Sequence, residues 1–262
     1  MEEHLRHPRP AAESDRGAER RDQADVAPEL ARRRRCCGLG ALKVPVVTAA
    51  DTEKRLAAEA AAELVEDGMT VGLGTGSTVA HLLPAISRRG VSDIRCVATS
   101  VATEEQAREL GIPVEEFNSL QRLDIALDGT DEVTPDGWLI KGGGAAHLRE
   151  KIVAAAAQRF VVIADSSKPV DVLRGPVPLE LFSFGIASTL ARLGPEVELR
   201  DAPPSPDGGT IADYRGSVGD PAELAARLEA DPGVAAHGLF PPQMVSDLFI
   251  GRGDKVERPL RK

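Results

Sequence analysis

The chain has 262 residues, 42% apolar but only 3% aromatic, with a formal net charge of −9 and a pI near 5.2. That balance argues against a nucleic-acid binder, which needs a basic face, and calls for a core of Ala, Val, Leu and Ile. No apolar run is long enough to cross a bilayer. Three cysteines, two of them adjacent at Cys36 and Cys37, make neither a disulfide framework nor a zinc site, so a reducing, cytoplasmic compartment is expected.

Residues Met1 to Ala41 scatter Arg, Glu, Asp and Pro with no helical or strand period, the composition of a solvated tail. Arg32-Arg-Arg-Arg35 invites a nucleic-acid or targeting reading, but no apolar signal-peptide core follows it. Residues 1–48 are therefore expected to be a disordered tail. Order is expected from Asp51, where Asp51-Thr-Glu-Lys54 caps a helix running to Val65 with Leu56, Ala60, Leu64 and Val65 on one face. Gly68 ends it and a short strand follows at Met69–Val71. Further buried strands are predicted at Ile94–Ala98, Leu123–Leu127, Trp138–Ile140 and Phe160–Ala164, and helices at Val79–Arg88, Thr103–Leu110 and Leu148–Gln158. Strands alternating with helices predict a parallel sheet covered on both faces. Ligands of such sheets sit outside the carboxyl ends of the strands.

Beyond Lys168 the pattern changes. Pro176 and Pro178 break the chain. A helix at Ala187–Leu193, a strand at Val197–Arg200 and a turn at Ser205-Pro-Asp-Gly-Gly209 follow. Next come a strand at Thr210–Tyr214 and a helix at Pro221–Glu229 that Asp220 can cap. Residues 174–235 thus read as a small α/β (α+β) unit. His237–Phe240 and Val245–Ile250 are expected as strand returning to the main sheet, making one domain of 49–173 and 236–262.

Four strand ends carry groups that bind anions or move protons. In Gly72-Leu-Gly-Thr-Gly-Ser-Thr78 the glycines let backbone approach an anion, with amides of the next helix pointing at it. Thr75, Ser77 and Thr78 add hydroxyls around Gly76. No Gly-Lys pair follows, and the third glycine of a dinucleotide fingerprint would fall at Ser77. Asp128-Gly-Thr-Asp131, with Gly129 and Thr130 between its carboxylates, could hold sugar hydroxyls; an Asx-type turn and helix cap explains it as well. Glu132 beside it has no role legible in sequence.

Lys141-Gly-Gly-Gly144 follows the strand Trp138–Ile140. Glycine loses the most entropy on folding, so the run Gly142, Gly143, Gly144 makes sense where amides must wrap an oxyanion beside the fixed charge of Lys141. Glu150 could reach back from the next helix. Its neighbours alone favour a surface carboxylate paired with Arg149 or Lys151. Lys168, in Ala164-Asp-Ser-Ser-Lys-Pro169, could add a second cation, although an exposed loop lysine explains it equally. Histidines 4, 7, 81, 147 and 237 show no ligand spacing, and His147 reads as a neighbour of the glycine run. No metal and no cofactor are expected.

Together Gly72–Thr78, Asp128-Gly-Thr-Asp-Glu132, Ile140-Lys-Gly-Gly-Gly-Ala-Ala146, Arg149-Glu-Lys-Ile152 and Ala164-Asp-Ser-Ser-Lys168 resemble, in order and spacing, the A-type ribose-5-phosphate isomerase family. The similarity spans about Asp51 to Lys262. Thr130 stands where Ala is common, His147-Leu148 replace an apolar and a hydroxyl residue, and Val177-Pro-Leu-Glu-Leu181 varies the family's Leu-Pro-Val-Glu-Val. The resemblance implies a doubly wound, mostly parallel, Rossmann-like sheet with a smaller α/β domain inserted after Lys168. It also implies cofactor-free aldose–ketose isomerisation of a sugar phosphate through an enediolate. Glu150 matches the family's base, and substrate would meet Thr75–Thr78, Asp128–Asp131, Lys141–Gly144 and Lys168. Which glycine loop holds the phosphate stays open. The partner expected is the small substrate, not nucleic acid or membrane, and the assembly expected is a homo-oligomer, a dimer in the simplest case. A ligand-sensing regulator of this fold would need an N-terminal helix pair, which Met1–Ala41 lacks. An acyl-CoA transferase fits the Lys-Gly-Gly-Gly and Asp-Gly-Thr-Asp pairing less well, and an aminosugar-phosphate deaminase would need His147 in the site.

Overall fold

The computed structural model describes residues 48–118 and 120–261; the expected tail before Thr48, with its arginine run, lies outside them. Helix α1 (Ala49–Ala62) starts earlier than the sequence suggests. Thr48 is the N-cap, and Asp51, at the third helical position, returns the hydrogen bond to close a capping box. Then come β1 (Thr70–Leu73), α2 (Ser77–Arg89), β2 (Arg95–Ala98), α3 (Val101–Glu109), β3 (Leu123–Gly129), β4 (Glu132–Val133) and β5 (Leu139–Ile140). They are followed by α4 (His147–Ala156), β6 (Ala157–Asp165), β7 (Val177–Leu181), α5 (Ile186–Leu193), β8 (Val197–Leu199), β9 (Thr210–Tyr214) and α6 (Pro221–Glu229). The chain closes with β10 (Val234–His237), β11 (Leu239–Phe240), β12 (Asp247–Arg252) and β13 (Lys255–Arg261).

The fold is α/β. A six-stranded sheet runs β13-β12-β6-β3-β1-β2, parallel throughout except for β13 at one edge. Its strands are apolar on both faces because helices cover both. Ile125, Leu127, Val161 and Ile163 pack with the alanines of α1 and with Leu82 and Leu83 of α2. The alternate residues Ala126, Phe160, Val162 and Ala164 pack with Val153 of α4 and with Phe240. From β1 the chain moves outward to β2 and then returns to place β3 on β1's other side. That reversal opens a crevice at the carboxyl ends of β1 and β3, where doubly wound sheets bind ligands.

Three sequence expectations change. Trp138–Ile140 does not join the parallel sheet; β5 pairs antiparallel with β4 and β11 in a separate three-stranded sheet. His237–Phe240 does not return to the main sheet either: β10 pairs with β7 and β11 with β5, and only β12 lies along β6. Such short apolar runs show no period that specifies their partner. The helix expected to Gln158 ends at Ala156, because residues 157–159 pair with β3 (Leu123↔Ala157, Ile125↔Arg159), and tertiary pairing overrides alanine's helix preference.

The four-stranded antiparallel sheet β10-β7-β9-β8 carries a core of Val177, Leu179, Leu181, Ala212, Leu224 and Leu228. The sequence conceals β7 because Pro178 lies inside it; the proline carbonyl still accepts the Gly238 N–H at 2.7 Å. Glu132, without a role in sequence, accepts the Arg174 N–H at 2.7 Å as the chain approaches β7. No helix among the described residues is long and apolar enough to cross a membrane.

Asp247, fully buried at the start of β12, ties the parallel sheet to its antiparallel edge. Arg159 Nε donates to Oδ2 at 2.6 Å, and Arg258 Nε donates to Oδ1 at 3.0 Å. Burial pushes this carboxyl up, but the two arginines outweigh it and hold its pKa below the ordinary value. Its contribution to stability is therefore present above pH ~4 and lost as pH falls through the depressed pKa. Asp247→Ala is expected to lower stability by about 1.5–3 kcal/mol at neutral pH, since both arginines can turn to water. Urea denaturation checks this, and an unchanged midpoint refutes it.

Candidate active site

The loop after β1 is shaped by Asp128 at the end of β3. Asp128 Oδ1 accepts the amides of Thr75 (3.1 Å) and Gly129 (2.7 Å). Gly74 permits this approach: a Cβ there would fall 1.9 Å from Asp128 Cγ. The loop then delivers Gly76 as N-cap of α2 with no side-chain cap, so first-turn amides beside Ser77 and Thr78 face the crevice unshielded. Lys54, on α1, places Nζ 3.1 Å from Ser77 Oγ. Sequence reading missed Lys54, because a lysine in a helix's opening run carries no signal of what it faces.

Lys141 follows β5 and points inward, 3% exposed. Its Nζ lies 2.9 Å from Asp128 Oδ2, 3.1 Å from Glu150 Oε2 and 2.6 Å from the Gly129 carbonyl. One cation thus faces two carboxylates in a dry site. Burial opposes the Lys141 ammonium, but Asp128 and Glu150 outweigh it and raise its pKa. Glu150, 4% exposed, is pushed up to about 8 by burial first and by Asp128's charge second. Burial also raises Asp128, against Lys141 and two backbone amides. Those amides make Asp128 the better holder of negative charge. Glu150 Oε2 meets the Lys141 ammonium at 3.1 Å without the backbone amides that Asp128 has, so burial raises Glu150 with less to oppose it.

The surface-carboxylate alternative for Glu150 does not hold. Consecutive helical residues project about 100° apart, and α4 sends three of them to three different places. Arg149 forms a bidentate pair with Asp207 at 2.8 Å, Glu150 meets Lys141, and Lys151 lies 5.1 Å from the Phe240 ring centre.

In the glycine run, Gly142 has φ +106°, and a Cβ there would meet the His147 ring at 2.7 Å. Gly143 donates its N–H to Asp131 Oδ2 at 2.8 Å. At Gly144 a Cβ would find only ordinary contact with Thr75, at 3.6 Å. Gly142→Ala is therefore expected to lower stability by at least ~1–2 kcal/mol from the left-handed backbone alone and to depress turnover, while Gly144→Ala keeps its fold. Thermal denaturation of both variants checks this; equal melting temperatures would contradict it.

One pocket is lined by Thr75–Thr78, Gly129–Asp131, Lys141–Gly144, Glu150 and Lys168. Asp128 is the one residue expected in the site that stands outside this lining; it lies behind Lys141 as its counter-ion. Thr130 turns its hydroxyl to the Glu132 and Ile140 carbonyls (2.7 and 3.0 Å), stitching the turn to β5. Lys168, half-buried, lies on the pocket wall. His147 is fully buried beneath Gly142, outside the lining, and burial first and Lys151 second lower its pKa to about 3. It is a neutral core histidine. Among the described residues no cluster of His, Cys, Asp and Glu could hold a metal ion.

A family model described as ribose 5-phosphate isomerase A (phosphoriboisomerase A) matches residues 95–255, more than half of the chain. The chain belongs to the ribose 5-phosphate isomerase A family. It is an isomerase. The family's protein from Caulobacter vibrioides (strain NA1000 / CB15N) is 46% identical over 223 residues, which cover 80% of this chain and 98% of that one. Among solved structures, ribose 5-phosphate isomerase A from Neisseria gonorrhoeae matches with a TM-score of 0.76 and 34% identity over 79% of this chain and 96% of its own. A D-ribose-5-phosphate isomerase in complex with phospho-erythronic acid matches with a TM-score of 0.75 and 33% identity, over 81% and 99%.

Proposed function

We propose that this isomerase interconverts D-ribose 5-phosphate and D-ribulose 5-phosphate through an enediolate, with Glu150 moving the proton. The observation that carries this reading is a buried carboxyl 3.1 Å from a buried ammonium in one pocket with an uncapped helix N-terminus. The phosphate sits at the start of α2, among the Ser77 and Thr78 amides and hydroxyls, with Lys54 and Lys168 supplying positive charge. The open-chain aldehyde then lies toward Lys141.

Glu150, as carboxylate, removes the proton on C2. The C–H electrons form the C1–C2 double bond, and the carbonyl pair moves onto O1. Lys141 and the glycine-run amides hold that developing oxyanion, which a dry site stabilises far better than water does. Glu150 then returns the proton to C1, while a proton passes from O2 to O1 to complete the ketose. Asp131, exposed at the rim, meets the sugar hydroxyls, and Asp128 keeps Lys141 charged and aimed. Isomerisation moves hydrogen within one molecule, so no external oxidant enters the balance.

The test is direct. Purified protein is incubated with ribose 5-phosphate and formation of the ketose is followed. Conversion in both directions to one equilibrium ratio is expected, and absence of conversion refutes the substrate assignment.

A further inference from the structure

Arg200, just beyond β8, reaches across to the glycine run. Its Nη1 donates to the carbonyls of Gly142 (3.2 Å) and Gly143 (3.1 Å). Its Nε and Nη2 donate to the two carboxylate oxygens of Asp213 on β9, at 3.2 and 2.5 Å. The Arg200 amide donates to the Ile211 carbonyl at 2.9 Å, so the backbone carrying the guanidinium is itself anchored. Arginine's planar fork suits such two-sided contact, and lysine's single point of charge does not.

We infer that Arg200 is a positioning residue for the isomerisation: its grip on two successive glycine carbonyls fixes the run so that the Gly144 amide is aimed at the pocket. The reason is peptide geometry. In a trans peptide the C=O and the following N–H point in opposite directions, so holding one sets the other. The Gly142–Gly143 peptide is held at both ends: its carbonyl accepts from Arg200 and from the Ala145 N–H (3.0 Å), and its N–H donates to Asp131. The Gly143–Gly144 peptide is held by Arg200 on its carbonyl, which turns the Gly144 N–H away from Arg200. Gly144 lines the pocket. Three glycines left alone would sample many orientations, and a dipole stabilises an oxyanion well only when it needs no reorganisation. Asp213 balances the guanidinium charge, so geometry is what Arg200 supplies. Nothing in the sequence marks this arginine, which there reads as the end of a strand.

The inference rests on the proposed isomerisation, and its test separates the two. Arg200→Met is compared with wild type and with Asp207→Asn, which breaks a neighbouring ion pair to Arg149 without touching the glycine run. Arg200→Met is expected to lower kcat about 10–100-fold, less than loss of a direct oxyanion donor, and to change KM by no more than roughly threefold. Inhibition by phospho-erythronate, whose carboxylate stands in for the enediolate charge, should weaken with kcat. Guanidinium ion added to Arg200→Ala should restore part of the lost turnover. Hydrogen exchange of the peptide covering Lys141–Ala146 should quicken in Arg200→Met and stay unchanged in Asp207→Asn. Should Arg200→Met fail to fold, Arg200→Lys takes its place, with a smaller loss in kcat expected. Unchanged exchange in the Arg200 variant overturns the inference even if the wild type proves inactive on ribose 5-phosphate. An Arg200 variant that loses melting temperature while keeping kcat overturns it too, as does an equal kcat loss in Asp207→Asn. Wild-type inactivity with quickened exchange would refute the substrate and leave the brace standing.

Discussion

Glu150→Gln is expected to bind substrate nearly as well as wild type and to lower kcat by about 10²–10⁴ or more, the usual cost of losing an essential base. Glutamine keeps the shape and one oxygen toward Lys141 but cannot accept the C2 proton. In the wild type the carboxyl's pKa, raised to about 8, suits the proposed role as base near neutral pH. Activity at limiting substrate should therefore rise with pH as Glu150 deprotonates and fall as pH drops below that value. The same shift has a stability signature of opposite sense. Because the folded pKa lies above the ordinary 4.5, Glu150's contribution is full below that ordinary value and is lost as pH rises through about 8. Urea denaturation across pH 5–9 should show this decline in wild type and a flatter profile in Glu150→Gln. Turnover unchanged in the variant would sink the base assignment.

Lys141→Met removes the one cation between two buried carboxyls and should damage both stability and chemistry. Breaking a buried ion pair from one side commonly costs about 3–5 kcal/mol, because the abandoned charge keeps its burial and loses its partner. Here Asp128 and Glu150 would face each other across the vacated space, and both pKa values would climb further. Loss of the oxyanion's ammonium adds a fall in kcat of about 10²–10³. The double variant Lys141→Met with Asp128→Asn distinguishes the two effects. With one buried carboxylate gone, much of the stability should return while turnover stays low, a strong departure from additivity expected of contacting residues. If stability and turnover recover together, Lys141 serves the fold and not the oxyanion.

Much of this site is legible before folding. The Gly72–Thr78 loop, Asp128–Asp131 and Lys168 follow strands of the doubly wound sheet, whose carboxyl ends converge; Lys141–Gly144 follows β5 of the three-stranded sheet, so its place beside them was set by tertiary pairing. Glu150 was different. Its sequence neighbours are two cations, and only the turn of α4 sends Arg149 to Asp207 and leaves Glu150 facing Lys141. Lys54 and Arg200 were silent for the same reason: each acts on a residue far away in the chain.

Local chemistry in the sequence set several helix ends, as the Asp220 cap of α6 and the Gly90 stop of α2 do within a few residues, whereas pairing with β3 set the end of α4. The ordered motifs carried the family. Tertiary structure alone decided which sheet received β5 and β11, since two-residue strands have no period to select a partner. It alone also buried one ammonium between two carboxylates, because proton affinity there depends on water excluded by elements from distant parts of the chain.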